Sequence, residues 1–345
     1  MKKGILFLIA AAAVLMTAGC AKHAVTGANE ANKMYFDAWM SLNYPELYAK
    51  GPTGLGIYVI EETEGTGIEV KEDGYVLMDY VISDLEGNIS SYTTEEVAKQ
   101  LGTYEQGNYY GPKFQTTYEG SLPAGLAEAL IGMKVGGSKK VIIPTWLMSY
   151  DKYDTEEEYL EESSSNASAI YEFKVVDFAE DAIEWQIGKI GEYFAENSDI
   201  FGEMTVADSL PDHKGFYYKQ LVAPTDTTSF KKDTTIYINY TGRLIDGTVF
   251  DTTNERLAKD SGIWSSSRTY APVSIKWGEE YSDITMGSGG VITGFGLTLW
   301  QMREYEAGIG VFTSDYGYGY SGSGDNIPGF APLVFEIEIV PKPEE

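Results

Sequence analysis

Tyr240-Thr-Gly242, Asp246-Gly247-Thr-Val-Phe250-Asp251, Arg256, Val291-Ile292-Thr-Gly294-Phe295, Asp315-Tyr316-Gly-Tyr318-Gly319 and Asn326-Ile327-Pro328 through Phe335 follow one another in that order between residues 236 and 335. No single piece is specific. Together they describe a strand, a hairpin, a short helix and a loop able to line one apolar pocket with aromatic walls. Such a pocket suits an apolar side chain and a proline ring and is poorly suited to proton transfer or metal chemistry.

Strand-like segments flank this stretch: Gly215–Val222 (GFYYKQLV), Thr235–Tyr240 (TIYINY) and Leu333–Val340 (LVFEIEIV). The same order runs earlier in the chain. Leu55–Ile60 and Tyr75–Ile82 read as strands, Glu86-Gly87-Asn88 as a turn, Leu122–Leu130 as a short helix, and Lys139–Ile143 and Ala169–Phe178 as closing strands. Val291–Met302 then matches Leu122–Met133. The chain reads as a tandem repeat of two units, 51–178 and 205–345. Each is α+β, a short helix packed on one face of an antiparallel sheet. Residues 179–204 read as a linker helix, with Ile183, Ile187, Ile190 and Phe194 on one stripe that packs against a neighbouring domain. Residues 32–50 read as an N-terminal helix that Pro45 stops. Asp154–Glu162 (DTEEEYLEE) reads as a solvated loop or helix face, and calcium binding there lacks the turn glycine and ligand spacing of known loops.

The first twenty residues, MKKGILFLIAAAAVLMTAGC, carry two lysines, an apolar run too short to span a bilayer, and small residues before Cys20. They read as a secretory leader, and the small residues before the cysteine resemble a bacterial lipobox. That implies cleavage before Cys20, lipid attachment to its thiol and a tether at 20–31. An ordinary leader with an incidental cysteine is the alternative. Cys20 is the one cysteine of the chain, so no internal disulfide can form. Without the leader the chain keeps 23 of its 25 basic residues against 52 acidic ones, a net charge near −29. Such a surface repels nucleic acid and anionic headgroups, which leaves the lipid as the membrane contact. Ala21 after the cysteine disfavours inner-membrane retention by analogy with bacterial sorting. The expected location is the cell envelope, at the outer membrane and facing the periplasm.

Two histidines, His23 in the tether and His213 before the second unit, disfavour a Ser-His-Asp site or a histidine metal site. No Walker or dinucleotide glycine motif follows a strand. No cofactor and no metal are expected.

The second unit resembles an FKBP-type peptidyl-prolyl isomerase domain over roughly residues 212–341, on the motifs quoted above. The resemblance implies a half-barrel sheet around the short helix, with a pocket between them. Carried over by position, Tyr240, Phe250, Val291, Ile292, Phe295, Ile327 and Phe335 form walls and floor. Asp251, Tyr318 and the Ile292 amide supply polar contacts. Tyr240, Phe250, Asp251, Ile292, Tyr318 and Phe335 are then the expected catalytic set. Arg256, Val273, Val291, Phe295 and Ile327 are the expected substrate contacts. Arg256 stands where the family often has an arginine near the aspartate, so Asp251 is expected to pair with it or to bond Tyr240. Departures are Phe295, where the floor is often Trp, and Val273 at an aromatic wall position. Two further departures are long segments, 257–271 and 279–290, expected to extend over the pocket rim. In the first unit Tyr80 is kept, Ser90-Ser91 replace the Phe-Asp pair, and Pro123, without an amide hydrogen, replaces the isoleucine. It reads as a degenerate domain without catalysis.

On spacing alone Phe250, Val291, Ile292, Phe295 and Phe335 also suit an ordinary core, and Asp251 could cap a turn. Their joint order favours the pocket. The implied activity is isomerisation of X-Pro bonds in unfolded or partly folded envelope proteins. A non-catalytic chaperone or binding module using the same pocket is the main alternative, and a structural subunit of an envelope complex a further one.

Overall fold

The alternation in LVFEIEIV makes a strand with two different faces, and the second half of the molecule is arranged around it. The computed structural model describes residues 28–164 and 167–344. The first unit runs α1 (Ala28–Asn43), α2 (Pro45–Lys50), β1 (Tyr58–Thr63), β2 (Tyr75–Ser83), β3 (Ile89–Tyr92), α3 (Glu95–Leu101), β4 (Lys113–Thr116), α4 (Ala124–Leu130), β5 (Ser138–Ile143), α5 (Glu156–Glu162) and β6 (Ala169–Ala179). Then come α6 (Ala182–Glu196) and α7 (Ser198–Phe201). The second unit runs β7 (Phe216–Val222), β8 (Thr235–Leu244), β9 (Val249–Thr252), α8 (Glu255–Asp260), β10 (Val273–Lys276), β11 (Thr285–Met286), β12 (Gly289–Gly290), α9 (Thr293–Gln301), β13 (Ala307–Phe312) and β14 (Leu333–Val340).

The two sheets share one topology. In the first the order is β1-β5-β6-β2-β3, with β4 also on β2; in the second it is β7-β13-β14-β8-β10-β11-β12, with β9 also on β8. The pairings are antiparallel. The tandem repeat is therefore a repeat of fold, α+β in both units.

In β14, Leu333, Phe335, Ile337 and Ile339 join the core under α9, while Val334 joins a second cluster on the opposite face. Each helix lies on its sheet through a glycine. A methyl group on Gly294 would stand 2.4 Å from the Phe312 ring, and one on Gly125 would stand 2.5 Å from Ile143 Cγ2. These two helix–strand contacts recur with the same residue spacing in both units.

The N-terminal helix begins earlier than its sequence pattern indicates, at Ala28 and inside the expected tether. One reason is Asn29, buried, whose Nδ2 donates to the Ser163 carbonyl at 2.9 Å. Phe36 and Met40 of α1 are inserted in the first core, with the Phe36 ring 5.5 Å from that of Trp146. Within the acidic run 154–162, residues 156–162 form a helix that starts at a capping box between Thr155 and Glu158, with Tyr159 buried beneath it. The leader and Cys20 lie outside the described residues. The apolar stripe of α6 packs as expected on a neighbouring domain: Ile190 and Phe194, with Phe201, cover Tyr217, Ile309, Val311 and Val334 on the back of the second sheet. No helix among the described residues is long and apolar enough to cross a membrane.

One buried charge holds the edge of the second sheet. Glu306 is 1% exposed. Its carboxylate accepts from Tyr218 Oη at 2.6 Å, Gln220 Nε2 at 2.8 Å and the Arg303 amide at 2.8 Å. Burial and the Glu306 charge keep the Tyr218 phenol protonated far into alkaline pH. Tyr218→Phe takes one donor from a buried carboxylate and should cost about 1.5–3 kcal/mol. Urea unfolding measures it, and a loss within the ~0.5 kcal/mol scatter of ordinary surface changes would contradict the role given to Glu306.

Candidate active site

The expected site residues converge on one aromatic cluster between β8, β9, β14 and the start of α9. The register sets them there: Gly242 of β8 stands opposite Asp251 of β9 on one side and Phe335 of β14 on the other. A glycine is required at that crossing. A Cβ at 242 would stand 2.5 Å from the Phe250 ring and 2.9 Å from the Phe335 ring. With no side chain between them, the two rings meet edge to face at 5.5 Å.

The centre of the cluster is a set of edge-to-face aromatic contacts. Phe295, at the first turn of α9, lies 5.5 Å from Tyr240 at 84° and 5.1 Å from Phe335 at 87°. Phe335 also lies parallel to Phe312, with centroids 5.9 Å apart. Tyr240, Phe250, Phe295, Ile327 and Phe335 are buried, while Val273, Val291, Ile292 and Tyr318 are half-buried and belong to the same apolar cluster. Ile292 precedes α9 with an extended backbone (φ −62°, ψ 151°), and its carbonyl accepts from the Gly296 amide at 3.0 Å. Val273 pairs with Ile238 across the strands. Asn326 Nδ2 donates to the Phe250 carbonyl at 3.4 Å, which brings the Ile327 segment to the cluster.

Polar groups gather at one edge. Tyr240 Oη donates to Asp251 Oδ2 at 2.6 Å. The charge partner of that carboxylate is Arg268, whose Nη1 pairs with Asp251 Oδ1 and whose Nη2 donates to Tyr240 Oη at 3.1 Å. This corrects the sequence expectation for Arg256. The Arg256 side chain is 93% exposed and faces only Asp260, at 3.7 Å, on its own helix. The physical reason is α8, which occupies 255–260, carries Arg256 outward and returns the chain to the pocket twelve residues later. Arg268 is itself propped, its guanidinium 5.4 Å from the Tyr270 ring. The signal for it was present in the sequence: Arg268 stands just before Pro272-Val273, ahead of the wall strand.

Burial first, then the Asp251 charge, raises the Tyr240 phenol well above its ordinary value, while Arg268 draws it back. Burial and the same carboxylate also raise the Tyr318 phenol. Both hydroxyls therefore stay protonated at neutral pH, with the Tyr240 hydroxyl donating to Asp251. Among the described residues no group of three His, Cys, Asp or Glu is placed to hold a metal ion.

The second long segment packs on the helix side of the cluster. Tyr281, Ile284 and Met286 of this segment belong to the same apolar cluster. Residues 279–290 pair through β11 with β10 and lie on α9, with the Tyr281 carbonyl 2.7 Å from where a Cβ of Gly296 would stand.

A family model for FKBP-type peptidyl-prolyl cis-trans isomerase matches residues 226–340. FK506-binding protein 1A of Aspergillus fumigatus is 32% identical over 123 residues, 35% of this chain and 90% of that protein. The chain belongs to the FKBP-type peptidyl-prolyl cis-trans isomerase family. Human peptidyl-prolyl cis-trans isomerase FKBP9 is 25% identical over 245 residues, 69% of this chain, and the chain spans 32% of that longer protein. Among solved structures, the three FKBP domains of wheat FKBP73 match with 18% identity over 82% of this chain and 93% of that one, at a TM-score of 0.29. The enzyme class expected from the sequence, an isomerase, stands with the family.

The FKBP-type lining is confined to the second unit. In the first sheet Ile82 stands opposite both Ser91 and Tyr171, where the second has Gly242 between Asp251 and Phe335. A branched side chain thus fills the crossing that the glycine leaves open. Pro123 stands before α4 where Ile292 stands before α9. One polar support is kept in both: Thr93 Oγ1 accepts from the Tyr80 amide and Thr253 Oγ1 from the Tyr240 amide, each at 3.0 Å.

The assignment of Arg268 has a direct check. Arg268→Ala frees the Asp251 carboxylate and should lower kcat/KM on a proline tetrapeptide about tenfold, or ~1.4 kcal/mol of transition-state stabilisation. Arg256→Ala should stay within about twofold of the parent. The reverse ranking would return the role to Arg256.

Proposed function

We propose that the second unit isomerises X-Pro bonds of unfolded or partly folded envelope polypeptides, with the pocket around Phe335 as the catalytic centre. The observation that carries this reading is the joint placement of Tyr240, Phe250, Asp251, Ile292, Phe295, Tyr318 and Phe335 in and beside one aromatic cluster in a chain of this family.

Rotation about the amide crosses a barrier of roughly 18–20 kcal/mol set by resonance. No bond has to break, so a catalyst need only bind the twisted amide better than either planar form. The aromatic floor buries the proline ring, worth about 1.5–3 kcal/mol by analogy with an aliphatic side chain. It also removes the water that favours the more dipolar planar amide. Val291 and Ile327 hold the chain on either side, and the residue before proline is already biased to extended backbone. The Ile292 amide and the Tyr318 hydroxyl donate to substrate carbonyls and fix orientation. Asp251 is tied by Tyr240 and Arg268, so its part is to hold the pocket edge.

The envelope setting rests on the leader-like residues 1–20 and the acidic balance of the chain. In this reading Cys20 carries the lipid, and the enzyme works at the membrane surface, at the outer membrane and facing the periplasm.

Proline-limited refolding of a model protein tests the catalytic claim. Residues 21–345 should accelerate the slow phase, and Asp251→Val and Phe335→Ala should each reduce that acceleration about tenfold or more. No acceleration by a folded parent would favour the binding-module alternative. Cys20→Ser should move the chain from the membrane fraction to the soluble fraction; unchanged membrane association would sink the lipid anchor.

A further inference from the structure

The first unit, without the catalytic lining, has a cavity of its own on the outer side of α4. Ala124, Ala127, Glu128 and Ile131 line it at helical spacing, whereas Gly125, Leu126, Ala129 and Leu130 of the same helix are buried. Residues 117–120 and 150–153 form its sides, with the rings of Tyr118, Tyr150 and Tyr153 among them. Its volume is about 380 Å³, within the range of ligand pockets.

The second unit indicates what covers such a face. Between β10 and α9 it has sixteen residues, 277–292, where the first unit has seven, 117–123, between β4 and α4. The extra polypeptide lies on α9. The Tyr281 carbonyl reaches Gly296, and Trp277 stacks on Trp300 with centroids 5.5 Å apart at 10°. Gly296 and Trp300 correspond to Ala127 and Ile131 in the repeat. The same helix face is thus occupied by a stretch of chain in one unit and left open as a cavity in the other.

Charge narrows the occupant. Glu72, Glu119 and Asp151 stand around the cavity, with Lys152 as the one cation in its lining, 3.7 Å from Glu119. Glu128, in the wall, accepts from the Leu55 amide at 2.8 Å, and burial raises its carboxyl above the ordinary value. Net negative charge beside an apolar, tyrosine-walled cleft suits a cation joined to an apolar group.

We propose that this cavity binds a polypeptide segment in which an apolar or aromatic side chain adjoins a lysine or arginine. The apolar side chain enters between α4 and the tyrosine rings, and the cation meets Glu72, Glu119 and Asp151. No proline is required. The site gives the molecule a hold on extended chains that does not depend on catalysis, and it goes beyond the isomerase reading.

The probe is a fluorescein-labelled proline-free peptide, Gly-Phe-Lys-Leu-Arg-Gly, titrated by anisotropy into the full chain. Binding is expected to weaken at least tenfold when Ala127→Trp fills the cleft, and to weaken as salt rises. The same peptide with Glu at both basic positions should bind at least tenfold more weakly. Glu119→Lys with Asp151→Lys, both on exposed loops, should reverse that preference without touching the core. Ala127→Trp should leave kcat/KM on a short proline peptide within twofold. The proposal fails if the basic peptide does not bind, if it binds the Ala127→Trp or the charge-reversed chain as well as the parent, or if the acidic peptide binds equally. Turnover of the proline peptide, read on the same sample, reports separately on the isomerase reading.

Discussion

How closely the short helix approaches the sheet determines most of what the second unit can do. At Gly294 the backbone of α9 sits against the Phe312 ring with no room for a methyl group, and one on Gly310 of β13 would stand 1.9 Å from Thr298 Oγ1. Interiors pack at crystal-like density, so such contacts fix a spacing rather than average over several. With the helix seated this low, Phe295 reaches both Tyr240 and Phe335, and Val291 and Ile292 come to the pocket edge. A helix one methyl group farther out would break the edge-to-face contacts of Phe295.

The first unit keeps this frame and loses the lining. Its helix approaches through Gly125 and its second strand hangs on Thr93, as the second unit's does on Thr253. Ile82 and Ser91 stand where the second unit has Gly242 and Asp251, and Pro123 precedes α4 where Ile292 precedes α9. Packing residues and pocket residues have separated in the two copies. The first unit also meets segments that flank the aromatic cluster of the second. The Tyr109 amide donates to the Asp325 carbonyl at 2.7 Å, Gln106 Nε2 to the Asp260 carbonyl at 3.3 Å, and the Phe330 ring lies 5.2 Å from Tyr75.

Strands with clean alternation and a glycine-bearing helix were legible because period and burial coincide in them. Leu333–Val340 and Val291–Met302 are the clearest cases. The pocket residues were legible through their order, since each alone is indistinguishable from core. What the sequence concealed was set by distant partners. Arg256 has the expected distance from Phe250, but α8 turns it to solvent and gives its place to Arg268. Residues 279–290 have no period that would show their packing on α9. Glu306 looks like one more acid in an acidic chain, and its burial follows from Tyr218 and Gln220, more than eighty residues earlier. Asn29 likewise finds its acceptor on Ser163.

The helix between the units has a consequence for where an autonomous folding piece begins. By sequence, α6 joins two domains; by packing, Ile190 and Phe194 belong to the core on the back of the second sheet. A fragment cut at residue 205 would present Tyr217, Ile309, Val311 and Val334 to water as one greasy sheet face. The shortest stretch that keeps this sheet covered on both sides starts near Asp181, the residue that caps α6. The segment joining the two units is thus a structural layer of the second one.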